Sequence, residues 1–202
     1  MNLRDYKLVL ISVGIIGVLL IATPAMFNFI SAPNPEPLSE LYILGPEHMA
    51  SNYPFNIVVG QNYSVFVDVS NHLGSSAYYI LYLKLLNQTD TLPNAKLGTL
   101  SPIKPFYEYR FIVQNNQIHE SRLNFSFSVA SIDGSQSIIN KIIINENIIS
   151  VEKPSVFNTT MTIYPYQLLM ELCIYNNKSN SFEYHTRSVH LLLNLTSSPF
   201  AS

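Results

Sequence analysis

The stretch Leu8–Ile30 holds twenty-three residues and not one charge. As a helix it would extend about 34 Å, enough to cross a hydrocarbon layer of about 30 Å. Arg4 and Lys7 precede it, and Glu36 is the next charged residue after it. The positive-inside bias then keeps residues 1–7 in the cytoplasm and exports everything beyond residue 30. A cleaved signal peptide is the competing reading. The run is longer than an h-region of about 7–15 residues, and its best small-residue site, Thr23-Pro24-Ala25, lies inside it. A retained anchor is therefore expected, giving a single-pass protein of the cell membrane with an extracytoplasmic C-terminal domain.

Residues 31–39 follow as a linker, in which Pro33, Pro35 and Pro37 favour an extended polyproline II stalk. One β domain is expected over 40–196, with a short tail at 197–202. Charged residues make up 12% of the chain and the net charge is −2, so no basic surplus exists to attract nucleic acid. Cys173 stands alone, which excludes an internal disulfide. Its place in the apolar run Leu168–Tyr175 suits a small core residue. The alternative is a reactive or intermolecular thiol, although no His or Lys lies beside it in sequence to lower its pKa.

Beyond the linker the hydrophobic period is two. Tyr63, Val65, Val67 and Val69 alternate with Ser64, Phe66, Asp68 and Ser70. Leu123, Phe125, Phe127 and Val129 form a second such set, and Val189, Leu191, Leu193 and Leu195 a third. Each predicts a strand with one buried face. Tyr78–Leu86 and Leu168–Tyr175 are nearly all apolar, as central strands covered on both faces would be, and Tyr107–Val113 is a shorter amphipathic strand. Turn chemistry at Asn71–Gly74, Asp133–Ser135 and Asn176–Asn180 separates these runs. The expected fold is all-β, an immunoglobulin-like sandwich after one N-terminal transmembrane helix. Ile138–Ile149 is open between a hairpin turning at Asn145-Glu146-Asn147 and a short helix, with strand favoured.

Asn-X-Ser/Thr triplets begin at Asn62, Asn87, Asn124, Asn158, Asn177 and Asn194. Asn62, Asn124 and Asn194 occupy the polar phase of their strands, Asn158 and Asn177 fall in loops, and Asn87 ends a strand. All six are expected at the surface as glycosylation candidates, unless they are chance triplets in an Asn-rich chain.

No catalytic, cofactor-binding or metal-ligating set is expected. His185 and His190 are five apart on a predicted strand and point to opposite faces. Neither clustered acids nor a second cysteine accompanies them. The nucleophile elbow, the phosphate-cradling glycine loop and the H-E-x-x-H pair are all absent from the sequence. A triad assembled across loops has no sequence signature to test. Phe66, Tyr79 and Tyr107 would be the aromatics for a sugar-binding platform, with packing inside the sandwich as their default.

Several blocks carry a family likeness: Ser39–Pro46 (SELYILGP), Asn52–Asn56 (NYPFN), Val59–Val65 (VGQNYSV) and Val69–His72 (VSNH), then Pro105–Phe111 (PFYEYRF) and Tyr184–Leu191 (YHTRSVHL). Together they resemble domain-of-unknown-function family 1616, predicted membrane proteins found chiefly in archaea. The resemblance implies an extracytoplasmic β domain on a membrane anchor and supplies no activity or site residues. Residues 131–165 look unmatched or inserted. Two positions depart from the pattern. Glu47-His48-Met49 stands where a glycine usually follows the Leu-Gly-Pro turn, and Leu192 stands where an aromatic is expected. The expected function is a structural or protein-interaction module of the cell envelope, with other membrane or surface proteins as partners. The alternatives are a binding module for extracellular glycan or a small ligand, and an enzyme with a loop-assembled site.

Overall fold

The computed structural model describes residues 3–30 and 37–196, which belong to two compact units dividing after Pro37. The first unit is helix α1, Leu3–Ile30. It starts ahead of the apolar run and takes in Arg4 and Lys7, because helical hydrogen bonds do not depend on side-chain polarity. Among the described residues no helix is long and apolar enough to cross a membrane. The proline stalk over 31–36 and the tail over 197–202 lie outside the described residues.

The second unit is a sandwich of two five-stranded sheets. Its strands are β1 (Leu38–Leu44), β2 (Asn56–Val58), β3 (Tyr63–His72), β4 (Ala77–Asn87) and β5 (Tyr107–Val113), followed by β6 (Gln117–Asp133), β7 (Gln136–Ile144), β8 (Asn147–Val156), β9 (Pro165–Asn176) and β10 (Ser181–Thr196). One sheet runs β1-β3-β6-β7-β8 and the other β2-β10-β9-β4-β5. All pairings are antiparallel except β2 with β10. Val65, Val67 and Val69 from the first sheet meet Leu81, Leu83, Leu168 and Met170 from the second in a single core. Leu38 and Ser39, expected in the linker, are already in β1. Ser39 is wholly buried, and its hydroxyl lies 2.6 Å from that of Tyr79.

Ile138–Ile149 is a hairpin. Asn145 and Glu146 both have positive φ, 44° and 72°, the signature of a two-residue type I′ turn whose twist matches the flanking strands. Gly60 turns the chain into β3 at φ 82°, a conformation a side chain would strain.

Two strand expectations need correction. β3 is covered on both faces, not one: Phe66, Asp68 and Ser70 are buried with the valines, because the loop after β1 folds over them and His48 stacks on Phe66 at 3.7 Å. Val129 is exposed rather than core, because register shifts on either side of it reverse the phase of β6 and bring Ala130 and Ile132 inward.

Candidate functional site

Along the seam between β1 and β10 runs a groove of about 470 Å³, lined mainly by apolar atoms of Tyr42, Tyr53, Pro54, Phe55 and Leu192. Its construction starts at Gly45, where the chain leaves β1. The Gly45 N–H donates to Met49 O at 2.7 Å, and His48 N–H donates back to Gly45 O at 3.0 Å. His48 holds φ 56°. The glycine-type backbone of the turn is thus kept although a histidine replaces the glycine. The segment Tyr53-Pro54-Phe55 is then strapped across the seam. Tyr53 Oη donates to Ile43 O at 2.8 Å, and Asn194 N–H donates to Phe55 O at 2.7 Å. Tyr53, Phe55 and Leu192 remain 39%, 44% and 56% exposed. Leu192, the departure from the expected aromatic, thus forms part of the groove's wall.

Beside the groove the outer face of the first sheet carries a polar row. Tyr42, Asp68 and Glu120 are cross-strand neighbours on β1, β3 and β6. His48 Nδ1 lies 3.1 Å from Glu120 Oε2. Asp68 is 4% exposed. Burial, and then the facing Glu120 carboxylate, push its carboxyl above the usual range, while His48 and a hydrogen bond from Tyr42 oppose this. An acid raised in the folded state contributes stability that is complete below its unfolded pKa and is lost as pH rises through its folded pKa. Asp68→Asn should therefore gain stability relative to wild type as pH rises from about 4 to about 7. Paired melting curves across that range give the measurement, and a constant difference between the two proteins would sink the assignment.

The outer face of the second sheet is closed by the β4–β5 connection. Lys84 and Glu171, with side chains 3% and 0% exposed, approach to 2.5 Å. Lys84 Nζ donates to Ser101 O at 2.7 Å, and Ser101 N–H donates to Glu171 Oε1 at 2.7 Å. This buried triangle pins the connection to the sheet, and sequence reading missed it. The available signal was the pair of charges inside Tyr78–Leu86 and Leu168–Tyr175, runs otherwise almost wholly apolar. Cys173 is buried, and its thiol is pushed up to about 12 by burial and then by Glu171, with Lys84 opposing. A thiol so held is protonated and inert near neutral pH.

The sequence candidates are scattered. Among the sequons, Asn62, Asn124 and Asn177 are exposed, although Asn62 precedes β3 and does not lie on it. Asn87 and Asn158 are half-buried. Asn87 Nδ2 donates to Pro154 O at 2.8 Å, and Asn158 Oδ1 accepts from Thr160 N and Met161 N, both at 3.0 Å. Asn194 is buried, only 9% exposed, against expectation. β2 adds alongside it, its Nδ2 donates to Asn56 Oδ1 at 2.9 Å, and its Oδ1 accepts from Tyr164 N at 3.0 Å. An asparagine engaged at both ends is closed to a glycan in the folded domain.

Of the platform aromatics, Tyr79 and Phe66 are buried and Tyr107 is half-buried. The outer-face aromatics that do cluster are Tyr78, Tyr175 and Phe182, with centroids 5.0–6.0 Å apart. They meet tilted and edge-on, so they offer no flat face for a sugar ring. His185 is half-buried at a bulge beside Tyr79 and His190 is exposed. Among the described residues no group of three or more His, Cys, Asp or Glu is placed to hold a metal. Ser121 Oγ and His119 Nε2 lie 3.0 Å apart. The imidazole is stacked on Phe111 at 4.3 Å, and burial pushes its pKa down, which disfavours the imidazolium a general base must become.

No curated protein matches the chain. Similar solved structures include the CARDB domain of a Pyrococcus furiosus protein, in complex with di-metal ions. It is 7% identical at a TM-score of 0.39, over 82% of this chain and 95% of that one. A Listeria innocua β-glucosidase in complex with glucose is 9% identical at a TM-score of 0.37, over 79% of this chain and only 16% of the enzyme. A family pattern, Domain of unknown function (DUF1616), matches residues 32–136. The blocks from Ser39 to Phe111 fall inside that match and Tyr184–Leu191 falls outside it. With just over half of its 202 residues matched, the chain belongs to the DUF1616 family.

Proposed function

We propose that this chain is a single-pass protein of the cell envelope, its N terminus cytoplasmic, whose extracytoplasmic domain works as a structural and protein-interaction module without a catalytic role. The observation that carries this is the β1–β10 groove, where Tyr53, Phe55 and Leu192 stay exposed together in one concave apolar surface. Apolar side chains gathered in this way mark contact surfaces, whereas the same residues scattered singly would carry no meaning. The anchor is supported by the uncharged run Leu8–Ile30. In this reading the sandwich is of the immunoglobulin-like type. Its partners are other membrane or surface-layer proteins, and any glycans sit on the exposed Asn62, Asn124 and Asn177, away from the groove.

A photocrosslinking side chain placed at Phe55, and as a control at Glu152 on β8, tests this in membranes of the native host. Protease added to intact cells or spheroplasts should digest the domain. Phe55 should crosslink to a discrete membrane or surface protein, with Glu152 silent, and Leu192→Glu should abolish the product. Protection from external protease, or equal crosslinking from both positions, would overturn the proposal.

A further inference from the structure

The sandwich is open between β5 and the first half of β6. A cleft of about 230 Å³ penetrates there to the core side chains Val67, Leu81, Leu83 and Leu123, flanked by Tyr107 and Tyr109. Its other wall is a bare sheet edge. β6 pairs with β3 over Gln117–Phe125 but with β7 only from Phe125 onward. Among the described residues no strand lies beside 117–123 on the side away from β3.

Asn124 gives the direction of the free groups. Its N–H donates to Asn145 Oδ1 and its carbonyl accepts from Asn145 N, both at 2.9 Å and both toward the β7 side. Alternation along an antiparallel strand points the N–H and C=O of Arg122, Glu120 and Ile118 the same way. None of these groups has a hydrogen-bond partner among the described residues. The odd-numbered side chains face inward: Leu123 is core, and His119 stacks on Phe111. Ser121, between them, is small and lines the cleft. On the outward face Glu120 is held by His48, whereas Arg122 lies over the Phe66 ring at 5.9 Å with no carboxylate partner among the described residues. Exposed edges are ordinarily blunted. β8 carries Pro154 and β5 the Glu108–Arg110 ion pair; the β6 segment has no proline, and its charges, Glu120 beside His48 and Arg122 over Phe66, stand on the outer sheet face and leave the main-chain edge open.

We infer that this edge is a strand-addition site for an extended segment of another protein. The segment pairs antiparallel with Ile118–Arg122 and seats one bulky apolar side chain in the cleft opposite Ser121. The residue immediately before it is acidic and meets Arg122. Main-chain hydrogen bonds hold such a strand, while the cleft and the unpaired cation select its sequence. A second copy of this chain fits poorly. Two-fold pairings centred on Glu120 or on Arg122 oppose like charges, and the pairing centred on Ser121, although it sets Glu120 against Arg122, puts only a serine at the cleft.

The test uses the full-length chain in neutral-lipid nanodiscs and a capped probe peptide of alternating threonine and valine with a central glutamate–phenylalanine step. Binding should slow amide exchange at Ile118, Glu120 and Arg122. Arg122→Glu should weaken binding about tenfold, and a probe with lysine in place of glutamate should restore it. A probe with proline beside the phenylalanine should not bind. Absence of binding, binding without protection of those amides, or equal binding of the proline probe would refute the site. Protection that appears without peptide, together with dimer formation, would assign the edge to a second copy instead. The edge lies apart from the β1–β10 groove, so this outcome is independent of the groove's role.

Discussion

Glu171→Ala should cost the β domain about 3–5 kcal/mol, because removing one partner of a buried pair leaves an uncompensated charge. Lys84 would keep only the Ser101 carbonyl, and the Ser101 N–H would lose its acceptor. The loss should appear as a lower urea midpoint with an unchanged slope, and as new proteolytic cleavage within the β4–β5 connection once its pin is gone. Lys84→Met should behave similarly, since it leaves the carboxylate buried. The double variant Lys84→Met/Glu171→Leu replaces both charges by apolar groups and should recover most of the stability, because desolvating a buried pair offsets much of its attraction. A double variant that loses the sum of the two single losses would show that the two side chains act separately.

Gly45→Ala should destabilise the domain by about 3 kcal/mol, the upper range for inserting atoms into a packed site. A Cβ built there lies 2.0 Å from the backbone carbonyl oxygen of Ser51. Backbone cannot swing aside as the end of a flexible side chain can, so the whole loop over residues 46–53 must shift. That loop carries His48 onto Phe66 and leads into Tyr53 and Phe55. The variant should therefore lose the β1–β10 groove as well as stability, read as a fall in crosslinking from Phe55 larger than the unfolded fraction explains. Gly45→Ala with a wild-type melting temperature would show that the loop has slack the packing does not suggest.

Much of the architecture was legible in the sequence. Period-two runs located β3, β6 and β10, continuous apolar runs located the central strands β4 and β9, and turn residues separated them. These signals are local, and each strand bears its own. What failed were the inferences about a far side at Phe66, Asp68, Val129 and Asn194. Alternation at Phe66 and Asp68 reports which residues share a face, and says nothing of a loop lying over that face. Asn194 has the polar phase of its strand, but β2, three residues long, arrives beside it from 138 positions away. Val129 was assigned by extending a period across a bulge that carries no local signature. The buried Lys84–Glu171 pair was legible in principle, since two charges interrupt central strands, and their partnership required the register of β4 against β9. The groove follows the same logic. Gly45-Pro46 reads as a turn after the first strand and Tyr53-Pro54 as an extended entry to the next, and only the seam with β10 turns the residues between and after them into a surface.

The parallel pairing of β2 with β10 has a consequence for the order of events in the cell. Arg187 Nε donates to Ser39 O across 148 positions, and Asn194 reaches Asn56 across 138. The first strand and the last close on each other, and such distant contacts form late, after the intervening chain has been gathered. A ribosome still holding the residues of β10 holds back this closure. The surface at the seam is therefore a certificate of completion. A truncated or half-delivered chain can fold its hairpins and still present nothing there for a partner to recognise.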